Sequence, residues 1–342
     1  MHELVFFYPQ GHEDHYQPEH PERPDRVEAL RRALQAAGWW EAYPQLPAQE
    51  LSRELLEAVH TRAYLSMLER ACHQGAPLDL DTYTTSASWD VALQSAGGAV
   101  AVASQVWRRE AHHGFALTRP PGHHATSRRG MGFCLLNNVA LAAEYLLREE
   151  GARRLAIVDL DLHHGNGTQD IFWQRGDVFF CSTHQSPLYP GTGALEETGA
   201  GPGEGTTANF ALPPGSGDEA FLTITGDLIL PLLARFSPEM ILVSFGFDPH
   251  WRDPLGRLQL SAAAYGQLVA SLVRWAEANC GGRLALFLEG GYDLEAAAAC
   301  GQGVTAALLS LPWQDPLGPA PRNEGKSWHA VVQQARDIWK LK

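Results

Sequence analysis

The chain has 342 residues, 45% of them hydrophobic and 19% charged, with a formal net charge of −13. That length accommodates one large α/β domain or two small ones, and the acidic balance argues against a nucleic-acid-binding surface. No run of about 18 apolar residues offers a membrane span, and the five scattered cysteines include no Cys-x-x-Cys pair that would suggest a zinc knuckle or a disulfide framework. The segment Met1-His2-Glu3-Leu4-Val5-Phe6-Phe7 lacks the basic start and apolar length of a signal peptide, so a cytoplasmic protein with reduced thiols is expected. Taken in chain order, residues 4–8 predict a first strand, and residues 9–24 a loop dense in His, Glu and Pro. The acids Glu13, Asp14, Glu19, Glu22 and Asp25 of this region are expected to be solvated. Residues 26–37 predict a helix ended by Gly38, and 54–60 and 63–73 two short helices. Residues 89–109 form a long Ala/Val-rich helix that is apolar nearly all round and therefore mostly buried. His112-His113 is expected in a surface turn. Beyond it, strands at 115–118, 155–161, 178–182, 240–245 and 284–289 alternate with helices at 138–149, 167–173, 218–236, 262–279 and 294–309. This alternation predicts a mainly parallel sheet with helices on both faces. The Pro/Gly-rich segment 312–326 leads to a helix at 326–340. Its stripe of Trp328, Val331, Val332, Ala335, Ile338 and Trp339 should dock back on one domain spanning 1–342. No internal repeat is visible. The glycine-rich run from Gly199 to Gly205 reads as a surface loop, because no Lys-Ser/Thr follows it and no strand precedes it.

The chemistry concentrates in Ile157-Val158-Asp159-Leu160-Asp161-Leu162-His163-His164-Gly165-Asn166-Gly167. An apolar run over 155–158 gives way to strict alternation. On a strand this puts Asp159, Asp161 and His163 on one face and Leu160 and Leu162 on the other. Two carboxylates and an imidazole at the end of a buried strand are expensive to hold without a metal or hydrogen-bond partners. Gly165-Asn166-Gly167 then turns the chain where open α/β sheets place ligands.

Four other strands deliver similar groups at their ends. One runs into Arg119-Pro120-Pro121-Gly122-His123-His124, one into Thr183-His184, one into Gly246-Phe247-Asp248-Pro249, and one into Glu289-Gly290-Gly291-Tyr292-Asp293. Together they describe one composite active site. Asp161, His163 and Asp248 form the best metal-ligand set, with one nitrogen and two carboxylates leaving positions open for water and substrate. Zn²⁺ is the default ion, and the oxygen-rich set also admits Fe²⁺. His123 or His124 can serve as a base near pH 7, with Asp159 and Asn166 placed to orient the imidazoles. Tyr292, on a loop freed by Gly290 and Gly291, can donate its hydroxyl to a tetrahedral intermediate.

These motifs, with Tyr189-Pro-Gly-Thr-Gly193 and Ser244-Phe-Gly-Phe-Asp248, resemble the zinc-dependent histone deacetylase and acetylpolyamine amidohydrolase superfamily. Asn166 and the Gly-Asn-Gly-Thr-Gln run look like its class II and bacterial members. The resemblance implies an arginase-like α/β fold with a central eight-stranded, mainly parallel sheet. It matches Asp161, His163 and Asp248 to zinc ligands, His124 to the general base and acid, and His123, paired to Asp159, to the electrostatic partner. It matches Tyr292 to the transition-state tyrosine. Phe133 and Tyr189 resemble the aromatic walls of an acyl-lysine channel, Gly132 the residue whose carbonyl accepts the substrate amide, and Asp81 the rim acid that holds the substrate backbone. Asp159, Ser182 and Thr183, with backbone oxygens of Asp161 and His163, match a structural K⁺ site. The resemblance therefore implies a metal-dependent amidohydrolase that removes acetyl or other acyl groups from lysine side chains of proteins or peptides. An acetylpolyamine or other small-molecule amidohydrolase is the alternative, disfavoured by the short segment over 75–89. An inactive acyl-lysine-binding module is the alternative of another class, disfavoured because no catalytic position is lost. A homo-oligomer and a monomer are both admitted.

Overall fold

The computed structural model describes residues 1–341. Eight strands make one sheet: β1 (His2–Phe7), β2 (Gln45–Leu46), β3 (Ala111–Ala116), β4 (Leu155–Asp159), β5 (Val178–Gln185), β6 (Thr207–Leu212), β7 (Met240–Phe245) and β8 (Leu284–Leu288). Their spatial order is β2-β1-β3-β8-β7-β4-β5-β6. Every neighbouring pair is parallel, so all the strands end at one edge of the sheet.

The strands are apolar because both faces are covered. Along β4, Leu155 and Ile157 enter a core with helices Ser88–Trp107 and Asn138–Glu149. Ala156 and Val158, with Leu160 just beyond, enter the opposite core against Ala262–Cys280 and Leu294–Leu308. The last helix, Trp328–Trp339, joins this second core through Trp328, Val332, Ala335 and Trp339. Burying each large apolar side chain of these layers contributes about 1.5–3 kcal/mol before entropy is counted. Helix ends next to the strand-end loops are fixed by side chains: Asn137 caps Ala140 N–H, and Asp293 caps Ala296 N–H.

Several elements differ from the sequence reading. β4 stops at Asp159 instead of running through residue 161: Leu160 N–H still donates to Ser244 O at 2.9 Å, and the amides after it turn to carboxylates. Asp161 N–H donates to Asp159 Oδ1 (3.1 Å), Leu162 N–H to Asp248 Oδ1 (3.1 Å), and His163 N–H to Asp161 Oδ1 (2.8 Å). The first and last of these are Asx turns, which compete with the strand ladder. β3 begins at Ala111, so His112 and His113 lie in a strand, where Leu4 pairs with His113, and not in a surface turn. The helix expected over 218–236 is broken into Asp218–Ile224, a wide turn over Thr225–Ile229, and Leu230–Phe236. Pro231 lacks the amide that the regular helix needs. β6 went unread although Ala208, Phe210 and Leu212 alternate into the core; β2 has only two residues and no periodicity to read.

Candidate active site

Five loops leave the sheet edge and enclose a narrow cavity of ≈ 260 Å³. His123, His124, Gly132, Phe133, His163, Tyr189 and Tyr292 line it, with Asp81 at its exposed mouth. Asp161 and Asp248 are fully buried directly behind His163 and Gly290. A larger, more open depression of ≈ 780 Å³ lies across Asn166, but it holds none of these imidazoles or carboxylates of the metal-ligand set.

The donors of Asp161, His163 and Asp248 lie within 4.8 Å of one another. His163 Nδ1 is 3.2 Å from Asp161 Oδ1 and 3.1 Å from Asp248 Oδ2. A tetrahedron built on metal–ligand bonds of about 2.0–2.1 Å has edges of about 3.3 Å, so the set fits a small divalent ion. The second carboxylate oxygens are also held: Gly290 N–H donates to Asp161 Oδ2 at 2.8 Å, and Leu162 N–H to Asp248 Oδ1. A Cβ at Gly246 or Gly290 would collide with these carboxylates. Burial, then the charge of Asp161, push Asp248 up to about 7. Burial opposes a charged His163, yet its bonds to Asp161 and Asp248 hold it up at about 9. Two buried carboxylates thus compete for one positive neighbour, which a divalent cation would relieve.

The adjacent imidazoles, 4.1 Å apart between ring centres, have opposite environments. His123 Nδ1 lies 2.9 Å from Asp159 Oδ2. Burial works against its charge but is outweighed by Asp159 and Asp161, so its pKa is held well above the ordinary 6.5. His124 Nδ1 lies 2.7 Å from the amide oxygen of Asn166. Because that oxygen only accepts, Nδ1 carries the hydrogen and Nε2 keeps a lone pair. Burial, then the charges of His123 and His163, hold His124 well below 6.5. Burial raises the Tyr292 hydroxyl well above 10 despite Arg26, whose guanidinium sits 4.7 Å from the ring centre. Tyr292 therefore keeps its proton and can donate.

The walls are aromatic. Phe133 meets Tyr292 edge-on at 5.8 Å, and Tyr189 meets His124 edge-on at 5.2 Å. Gly132 has φ +55°, and a Cβ there would lie 2.5 Å from the His124 ring, so only glycine fits this turn. Leu188 and Leu255, which the sequence reading did not single out, complete the apolar lining. Asp159 pairs directly with Ser182 across β4 and β5. His184 Nε2 faces the Gly193 carbonyl, so Ser182 donates to His184 Nδ1 at 2.9 Å and its oxygen retains lone pairs. The neighbouring Thr183 hydroxyl is buried without a partner.

The supports beneath the cavity were not foreseen. Glu22, expected to be solvated, is fully buried. It accepts from Arg119 Nε at 2.8 Å and Arg26 NH1 at 3.1 Å. Arg26 in turn donates to the carbonyls of Gly291, at 2.7 Å, and Glu289. The one available signal was the placement of two arginines beside a motif strand and a His-rich loop. Glu13, Asp14, Glu19 and Asp25 do lie at the surface.

Known proteins resemble this chain over most of its length. The histone deacetylase domain matches residues 20–308. A probable deacetylase of Archaeoglobus fulgidus is 42% identical over 298 residues, covering 86% of this chain and 82% of that protein. A histone deacetylase-like amidohydrolase of Pseudomonas aeruginosa is 36% identical over 302 residues, covering 87% of this chain and 80% of that one. The crystal structure of the HDA15 HD domain superposes with a TM-score of 0.90 at 33% identity, covering 99% of this chain and 95% of that one. The two share the arginase-like α/β architecture. No described helix is long and apolar enough to cross a membrane.

Proposed function

The chain belongs to the histone deacetylase family, and on that footing we propose that it is a metal-dependent lysine deacylase acting on proteins or peptides. The observation that carries this reading is the division between the two imidazoles: one held charged by Asp159, one held neutral with its Nε2 lone pair free. A divalent ion held by Asp161, His163 and Asp248, with Zn²⁺ as first choice and Fe²⁺ as second, would polarise the substrate carbonyl and acidify a water. His124 Nε2 takes the proton of the attacking water and returns it to the leaving amine. His123 stays charged and stabilises the negative charge that develops. The Tyr292 hydroxyl donates to the oxyanion. Phe133 and Tyr189 exclude water from the alkyl chain, and the Gly132 carbonyl accepts the amide N–H. Asp81 at the mouth holds the peptide backbone. K⁺ beside Asp159, Ser182 and Thr183 would steady the strand ends.

The lining favours lysine over polyamines. Beyond the buried ligand set, its one carboxylate is Asp81, at the mouth. Acetylspermidine would draw a charged secondary ammonium between Phe133, Tyr189, Leu188 and Leu255 without a partner, which is costly. One deacetylase domain in a reducing cytoplasm fits the five buried free cysteines and the docked last helix.

One experiment tests the reading. Metal-loaded protein is given acetyl-lysine peptides, longer-acyl peptides, acetylputrescine and acetylspermidine in parallel, with and without chelator. Chelator-sensitive turnover of the peptides with at least tenfold lower kcat/KM on the polyamines is expected. Preference for the polyamines, or turnover that survives chelation, rejects it.

A further inference from the structure

Glu289 follows the last residue of β8 with its carboxylate fully buried, and no step above uses it. Its Oε2 accepts from the backbone N–H of Gly122 at 2.6 Å and of His123 at 3.1 Å. Its Oε1 accepts from the Ser244 hydroxyl at 2.9 Å. Gly122 and His123 follow β3, Ser244 lies on β7, and β8 runs between those two strands. One carboxylate therefore spans three adjacent strand ends.

The turn it holds needs such an acceptor. Pro120 and Pro121 carry no N–H, so Gly122 and His123 carry the first amides after Arg119, and both are buried. The turn is packed from its other side too: a Cβ on Gly122 would lie 2.5 Å from Asn138 N. The main chain around Glu289 is equally committed. Its own N–H donates to Phe245 O at 3.0 Å, and Gly290 N–H donates to Asp161 Oδ2 at 2.8 Å. Two residues later Tyr292 N–H is held by Asp253 Oδ2 at 2.6 Å.

We propose that Glu289 is a positioning residue: by bracketing the Gly122–His123 backbone to the segment that carries Tyr292, it keeps the tandem imidazoles and the tyrosine hydroxyl in one fixed relation. This rests on the reading of His123, His124 and Tyr292 as the reacting groups. A glutamine has the same shape and offers one accepting oxygen to both N–H groups while its amide faces the Ser244 oxygen. The Glu289 charge also helps, behind Asp159 and Asp161, to hold His123 charged, and the glutamine separates that smaller contribution from the geometry the bracket uses.

The test compares metal-loaded wild type, E289A and E289Q. Amide hydrogen exchange at Gly122 and His123 reads the bracket without reference to turnover, and steady-state kinetics on an acetyl-lysine peptide read its consequence. A displacement of about 1 Å at reacting groups costs roughly 10²-fold in rate. E289A should lose protection at those two amides, keep its metal, and lose about 10²-fold in kcat with KM within about twofold. E289Q should keep the protection and stay within about tenfold of wild-type kcat. Unchanged exchange in E289A, or E289Q as damaged as E289A, overturns the proposal. A wild-type protein inactive on every acyl substrate overturns the functional reading instead, while the exchange result still decides the bracket.

Discussion

Replacing Glu22 by Gln removes one negative charge from between two buried guanidinium groups. In the folded protein Oε1 accepts from Arg119 at 2.8 Å and Arg26 at 3.1 Å, and Oε2 from Arg119 at 3.1 Å. Burial raises the Glu22 pKa, but Arg119 and then Arg26 outweigh it and bring the carboxyl from 4.5 to about 2. At roughly 1.4 kcal/mol per pH unit, that gap corresponds to about 3 kcal/mol of stability at neutral pH. The folded pKa is depressed, so the contribution is complete above about pH 4.5 and drains away as pH falls toward 2. At pH 3, about 1 kcal/mol should remain. Breaking a buried pair from one side typically costs about 3–5 kcal/mol, in the same range. Urea unfolding of metal-free wild type and E22Q, followed by tryptophan fluorescence, checks this without a contribution from metal release. E22Q should be less stable by about 3 kcal/mol at pH 7, and the difference should shrink to about 1 kcal/mol at pH 3. A loss under about 1 kcal/mol at pH 7, or one that is the same at pH 5 and pH 3, would refute the assignment of Glu22 as the charge hub. Arg26 also holds the carbonyls on either side of Gly290, so the metal-loaded variant should show reduced kcat.

Three further outcomes follow from the cavity. Tyr292→Phe should lower kcat by about 10²–10³-fold, with metal content unchanged and KM little affected, because the donor is used in the transition state; a raised KM at constant kcat would make Tyr292 a binding residue. His124→Ala should slow turnover by about 10²–10⁴-fold while retaining the metal, as checked by elemental analysis alongside single-turnover rates. Gly246→Ala should abolish stoichiometric metal uptake, since the added methyl occupies space held by the Asp161 and Asp248 carboxylates; titration with Zn²⁺ to one equivalent would contradict it.

The sequence by itself determined most of the frame and the chemistry of the floor. The helix over residues 138–149 and the strand over 240–245 were legible to the residue, because periodicity and caps are local properties. The alternation after Val158 identified the acidic and imidazole groups, although the backbone there turns through Asp159 and Asp161 instead of extending. What only the tertiary structure decided were relations across long separations. Glu22 meets Arg119 from 97 residues away and Glu289 meets Gly122 from 167, whereas the meeting of Asp248 with His163 across 85 residues was expected from their strand-end motifs. A carboxylate in a polar loop looks the same in sequence whether it ends in water or between two arginines. Its environment, and with it the choice between a charged and a neutral imidazole, is set by which chain segments the parallel sheet brings to its one edge.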